Sequence, residues 1–419
     1  MKTVRISLLM VVGLLLIMPE FSQAIPAFAR KYGFNCNMCH TSFTKLNDFG
    51  QRYRDNGYQI PGQVGGERNV FETPPPLALR TSTGLQMAYA HPATTSSFFI
   101  NGLDLLAAGA LHKNISFLMI YTPRIDEPAA DHTGSDNGMN PSQLGALESA
   151  NLVFSNVIED IVNVRVGRFE PAYHPFSSKR SYYLLSSYEA YTFSTPDNAF
   201  VFDDNQIGVE VTGHLRNGFG YGAGIVNGNG ANPDNNKYKD VYLRLQQTVG
   251  RGNGQSAGQR IGLIGYYGWQ PTEIGLTSDL TGAAEGGDNK RFYRVGGELS
   301  LNYSTFNFMA MFMQGVDDKA FNPRDTARDY AYTGGFAELD WSGLLNNRLL
   351  ASAMYNWVQP PSPYKDADQV QAFSLLIRYY LGDWTAVNIA LHAEYTHREV
   401  GKTNPSQEDL VGLMIDFAF

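Results

Sequence analysis

Five consecutive residues carry the clearest chemistry in this 419-residue chain: Cys36-Asn37-Met38-Cys39-His40, a C-x-x-C-H run. That run is the attachment signature of c-type haem. Two thiols three positions apart on a turn can each add to one haem vinyl group. The next residue, His40, then turns its imidazole toward the iron from the proximal side. The competing readings are a redox C-x-x-C pair and half of a zinc site. A redox pair wants a βαβ context, and a zinc site wants a second ligand pair at finger spacing. The sequence offers neither. Its cysteine count of 2 excludes a disulfide framework.

These residues must be positioned by their neighbours. Ser42 can cap a helix starting near Phe43, with Phe43, Leu46, Phe49 and Tyr53 recurring on one face and Gly57 as the stop. The segment 25–76 is close to the lower size limit for an independent core. Its only histidine is His40, and its only methionine is Met38, inside the motif. A His or Met as second axial ligand must therefore come from elsewhere, or the sixth position is filled by something unusual; the mature N-terminal amine is a further candidate. These shortages point to a small haem-carrying plug, residues 25–76, lying in or against a larger structure. Pro74-Pro75-Pro76 is a stiff spacer out of it.

The address agrees with haem attachment outside the cytoplasm. Lys2 and Arg5 precede an apolar run from Ile6 to Met18, too short to span a bilayer, and Ser22-Gln23-Ala24 is a small-residue cleavage site. Residues 1–24 thus read as an export signal. Charged residues make up only 17% of the chain, glycine is abundant at 42, and the net charge is −8. That balance disfavours nucleic acid as a partner and suits a β-rich membrane surface.

From Leu77 to Phe419 short segments alternate apolar and polar residues, as transmembrane barrel strands do. Val411, Leu413, Ile415, Phe417 and Phe419 oppose Gly412, Met414, Asp416 and Ala418; Phe373, Leu375, Ile377 and Tyr379 oppose Ser374 and Arg378. The expectation is a 16-stranded antiparallel porin-like barrel, all-β, with the N-terminal segment as a small helical cytochrome plug. Strands are expected from near Leu77, Phe98, Asn114, Gly145, Val162, Gln206, Phe219, Lys239, Arg260, Arg291, Thr305, Asp329, Arg348, Gln369, Ala386 and Asp409. Short turns belong in the periplasm and long loops outside, with both termini periplasmic. The long connection 170–205 either folds into the lumen or stands as a surface flap. Gly218, Gly220, Gly222 and Gly224 mimic a nucleotide loop but alternate on a strand. By parity Met309, Met311, Met313, Met354, Met414, His214 and His392 face the lumen and are candidate second ligands to the iron. Asp126, Glu127, Asp131 and Asp136 form an acidic loop that either draws a cation or is simply solvated.

Ala27-Phe28-Ala29-Arg30-Lys31-Tyr32, the motif with Thr41, Leu46, Phe49-Gly50 and Asn56-Gly57-Tyr58 resemble the fused cytochrome–porins of the bacterial outer membrane. The best-known members are outer-membrane cytochromes of iron-oxidising bacteria. The resemblance covers residues 25–60 by motif and the rest by architecture, and it carries over Cys36, Cys39 and His40 as haem residues. It implies one covalent haem c, electron uptake from an extracellular donor such as ferrous iron, and delivery to a periplasmic cytochrome or other carrier across the lipid bilayer. Two other readings remain: a porin with a sensing haem, and a barrel scaffold for a partner multihaem cytochrome in outward transfer. No base–nucleophile pairing suggests a conventional enzyme.

Overall fold

The computed structural model describes residues 27–42, 44–66, 68–72, 77–90, 92–123, 146–250, 258–273, 286–382 and 389–418. The N-terminal part consists of helix α1 (Ala27–Tyr32), a 3-10 turn (Cys36–Met38), a small hairpin of β1 (His40–Ser42) and β2 (Lys45–Leu46), and helix α2 (Asp48–Asp55). Among the described residues, no helix is long and apolar enough to cross a membrane.

The remainder is a closed antiparallel barrel of sixteen strands, β3 (Leu77–Ala90) through β18 (Ser406–Ala418). Each strand pairs with its sequence neighbours, and β18 closes onto β3 with Ala418 opposite Arg80. Closure leaves no edge strand, so every ladder group finds a partner without water. Tight turns join β4 (Ala93–His112) to β5 (Ile115–Thr122), β6 (Ala146–Asp160) to β7 (Val162–Phe169), and β12 (Gly287–Tyr303) to β13 (Phe306–Asp317). An even strand count brings both barrel termini to this short-turn rim. Three strands begin earlier than the alternation indicates: β4 at Ala93 rather than near Phe98, β12 at Gly287 rather than near Arg291, and β18 at Ser406 rather than near Asp409. In β4 the extra residues, Thr94-Thr95-Ser96-Ser97, are polar on both faces and carry no period-2 signal, yet they pair with β3 through a tight hairpin at Ala90 and Ala93.

The alternation maps onto the two faces. On β16 (Val370–Tyr380), Phe373, Leu375 and Ile377 point outward while Ala372, Ser374, Leu376 and Arg378 are buried in the lumen. The outer face carries aromatic side chains at both rims: Phe306 stacks on Trp341 near the short turns, and Tyr355 on Trp357 and Tyr267 against Trp269 near the other end. Such girdles mark the two interfaces of a bilayer.

The lumen is filled from two directions. The connection after β7 turns inward, and its Tyr173, Tyr182, Tyr188, Tyr191, Phe200 and Phe202 are almost fully buried. Three successive amides, Leu184 (2.8 Å), Leu185 (3.0 Å) and Ser186 (3.1 Å), donate to the Glu394 carboxylate on β17 (Ile389–Val400). Tyr188 stacks on Phe336 of β14 (Tyr330–Leu344) at 4.0 Å. From the short-turn side the N-terminal part enters as a plug. Gln59 donates to Ser116 near the β4–β5 turn (3.1 Å), and Asn163 of β7 donates to Asn56 (3.0 Å). The outward position of Leu375 sets a test. Leu375→Arg is expected to cost about 2–4 kcal/mol of barrel stability, as for a cation at mid-bilayer on a lipid face. Denaturant unfolding in lipid vesicles measures it, with Tyr303→Arg, at the exposed short-turn end of β12, costing much less.

Candidate haem site

The C-x-x-C-H segment is held by main-chain geometry. Within the 3-10 turn Met38 N donates to Asn35 O (3.0 Å) and Cys39 N to Cys36 O (3.1 Å). The next helix starts later than its apolar spacing suggests. Ser42 belongs to β1, and the cap is Asn47, whose side-chain oxygen accepts from Gly50 N at 2.9 Å. Phe43 lies outside the described residues. Asn47 also donates through Nδ2 to Asn37 O (3.2 Å) and Met38 O (3.1 Å), and its own amide donates to Cys39 O (2.9 Å). One side chain therefore starts α2 and fixes the motif to it. The stop is as expected: Asn56 ends the helix and Gly57 follows at φ +66.

The β1–β2 hairpin explains why the helix waits. It folds the chain so that the carbonyls of Thr44 (3.1 Å) and Lys45 (3.3 Å) both meet His40 Nδ1. With the proton on Nδ1, the lone pair sits on Nε2, the tautomer a metal-binding imidazole needs. Burial pushes the His40 pKa down to about 4, outweighing those carbonyls, so the ring is neutral at pH 7. Burial, with Cys36 adding to it, pushes the Cys39 thiol up to about 12.

Cys36, Cys39 and His40 together line a cavity of about 250 Å³ between plug, barrel wall and inward loop. Phe28, Tyr32, Phe34, Leu46 and Tyr53 cover it from the plug; Leu79, Leu106, Leu118, Ile120 and Val153 cover it from strands β3 to β6. Its charged wall comprises Arg54, Arg80, Arg165, Lys179 and Arg180 with Glu148 and Glu170. Arg180 meets Glu170 at 2.5 Å and Arg54 meets it at 3.5 Å; although burial alone would raise the Glu170 carboxyl, these guanidiniums hold it well below the usual range. Two thiols, an oriented neutral imidazole, flat apolar walls and cations for acidic substituents suit a covalently held haem, so the residues fit the group. Among the described residues no cluster of three or more His, Cys, Asp or Glu is arranged to hold a separate metal ion.

The lumen-facing candidates for a second iron ligand lie elsewhere. Met309, Met311, Met313, Met354 and Met414 are buried in the lumen, as parity indicates. None of them, nor His214 or His392, is among the described residues lining the cavity of His40. His214 instead meets Asp55 of α2 at 2.8 Å, and His392 meets Asp416 at 2.9 Å. The acidic loop residues Asp126, Glu127, Asp131 and Asp136 fall outside the described residues, and Gly220, Gly222 and Gly224 sit on strand β9 (Phe219–Val226). What sequence reading missed is the contribution of the barrel and inward loop to the cavity. Arg165, Lys179 and Arg180 carry no motif, and only the folded lumen brings them to the cysteines.

No family model matches the chain, and no curated protein matches it. Solved structures do. An anion-selective porin from Comamonas acidovorans shares 12% identity over 82% of this chain and 98% of its own, with a TM-score of 0.56. OprB of Pseudomonas putida shares 13% over 84% and 95%, at 0.54. A Salmonella typhi OmpF complex with daunomycin shares 10% over 84% and 100%, at 0.54. The barrel therefore has the porin fold.

Two measurements follow from this geometry. A Cβ on Gly50 would lie 2.1 Å from the Cys39 carbonyl oxygen. Gly50→Ala is expected to displace the motif turn at a cost of about 1–3 kcal/mol and to lower covalent haem incorporation, read by in-gel haem staining against total barrel protein. The second concerns Asp55, which meets His214 and Arg165 (3.4 Å). Burial alone would raise its carboxyl, but His214, Arg54 and Arg165 hold it below the ordinary range. A carboxyl whose pKa is lower in the folded state stabilises fully above its unfolded value, about 3.9, and loses that contribution as pH falls below it. Protease protection of the plug is thus expected to hold from pH 7 to 5 and to fall below about pH 4. Asp55→Asn is expected to have lost it already at pH 7.

Proposed function

We propose that this chain is an outer-membrane electron-transfer protein that exchanges single electrons through one c-type haem held by Cys36, Cys39 and His40 inside a porin-type barrel. The observation that carries this reading is the His40 imidazole, turned by two backbone carbonyls (3.1 and 3.3 Å) in a cavity it shares with both cysteines. Bound there, haem c supplies a one-electron iron couple whose potential depends on the axial ligands, their hydrogen bonds and the surrounding dielectric.

The chain's own residues do the rest. Cys36 and Cys39 would hold the macrocycle by thioether bonds, and His40 would ligate the iron. The apolar walls keep water from the porphyrin faces. The inward loop and the plug occupy the lumen, which supports electron passage over free diffusion of solutes. By the porin rule the short-turn rim faces the periplasm and the long loops face outward. The electron donor is then met on the long-loop side and a periplasmic carrier on the plug side. Ferrous iron is the donor that the resemblance of residues 25–60 favours.

The test is a redox titration of the haem-loaded chain, followed by mixing the oxidised form with ferrous iron. Rapid reduction of the haem band, absent from Cys36→Ser and Cys39→Ser, is the expected result. A low potential with no reduction removes ferrous iron as donor, and absence of covalent haem from the exported chain removes the reading altogether.

A further inference from the structure

Lys45 is an unusual residue to bury. Its ammonium reaches from the plug to the barrel wall and donates to Glu338 (2.5 Å) and Asp340 (2.8 Å) of β14. Both carboxylates are fully enclosed, and Lys45 itself is only 7% exposed. The surroundings complete the cluster. Ser352 of the neighbouring strand β15 (Leu349–Gln359) donates to Asp340 (2.6 Å), Tyr188 of the inward loop donates to Glu338 (3.1 Å), and the ammonium sits 4.1 Å from the centre of the Tyr182 ring. A buried, multiply bonded pair of this kind is rigid, because moving one partner leaves uncompensated charge out of water.

The main chain of the same residue carries a different contact. The Lys45 carbonyl, with that of Thr44, is the acceptor for His40 Nδ1. Side chain and backbone of one residue therefore join the barrel wall to the imidazole, across a hairpin of two short strands. Tyr182 adds a second tie, since its hydroxyl bonds Ser42 at the other end of β1.

We infer that Lys45 is a positioning residue: its clamp on Glu338 and Asp340 holds the Thr44 and Lys45 carbonyls under His40 and so sets how strongly His40 donates to an iron. This deepens the haem reading and rests on it. The barrel wall then belongs to the redox centre, although β14 supplies no iron ligand. An Nδ1–H held tightly by carbonyls makes the imidazole a stronger donor, which favours the ferric state and lowers the midpoint potential. A clamp that slackens raises it.

That direction separates the clamp from a simple charge effect. Lys45→Met removes a positive charge near the haem, which by Coulomb's law alone lowers the midpoint. If Lys45 acts through His40, the midpoint rises instead. Lys45→Gln keeps a donor for the carboxylates without the charge. The clamp keeps its midpoint near that of the unaltered protein, whereas a charge effect lowers it as far as Lys45→Met. The experiment is potentiometric titration of the full-length, haem-loaded protein and both variants, with heat-modifiable gel migration reporting barrel closure. A raised midpoint in folded Lys45→Met with covalent haem intact supports the inference; where Lys45→Met does not close its barrel, an unshifted Lys45→Gln supports it. An unshifted or lowered Lys45→Met, or a lowered Lys45→Gln, overturns it while leaving the haem reading standing. An unaltered protein that carries no covalent haem overturns both.

Discussion

A closed barrel solves its backbone problem by pairing every strand, and in doing so it encloses inward-pointing charge. In this chain the enclosed charge governs the rest of the structure. Glu210, Glu298, Glu338, Asp317 and Glu394 all point into the lumen and are almost fully buried. Unmatched, any of them would cost several kcal/mol. Each is met by a specific partner: Glu298 by Arg244 (2.6 Å) and Arg260 (3.2 Å), Asp317 by Arg294 (3.1 Å) and Thr195 (2.7 Å), Glu338 by Lys45. Wall, inward loop and plug all contribute partners. The lumen's contents are thus a condition of the barrel's stability, and the cavity beside the C-x-x-C-H motif is the space left between them.

The fold was legible in the sequence because its signal is spread over many strands. A period of two repeated across the chain survives the ambiguity of any single segment, and Phe373, Leu375 and Ile377 face outward as their alternation indicates. The sequence also shows where it falls silent. Thr94-Thr95-Ser96-Ser97 lengthen β4 without any apolar phase. The fate of the inward loop was equally balanced, because Tyr and Phe suit a lumen and a surface flap alike. Its burial is decided by Glu394, more than two hundred residues away, accepting from three of its amides.

The site was legible to a different depth. Cys36, Cys39 and His40 are identified by local spacing, and local geometry gathers them. The helix behind them was placed too early, because Ser42 and Asn47 are both good caps and only the tertiary demand on His40 Nδ1 selects Asn47. His214 and the lumen methionines were read correctly as inward-facing, but parity gives only the face and not the height along the axis. His214 ends at the foot of α2 with Asp55, a role in docking the plug that no spacing rule identifies.

The seam of the barrel has a consequence for the cavity. Ala418, the last described residue of β18, lies opposite Arg80 of β3, and both border the cavity that holds the cysteines. The seam where the sheet closes therefore contributes to the wall beside the C-x-x-C-H motif. Removing β18 would therefore take more than a stave, since Ala418 would be lost from that wall. Closing the sheet at that seam also completes one side of the cavity.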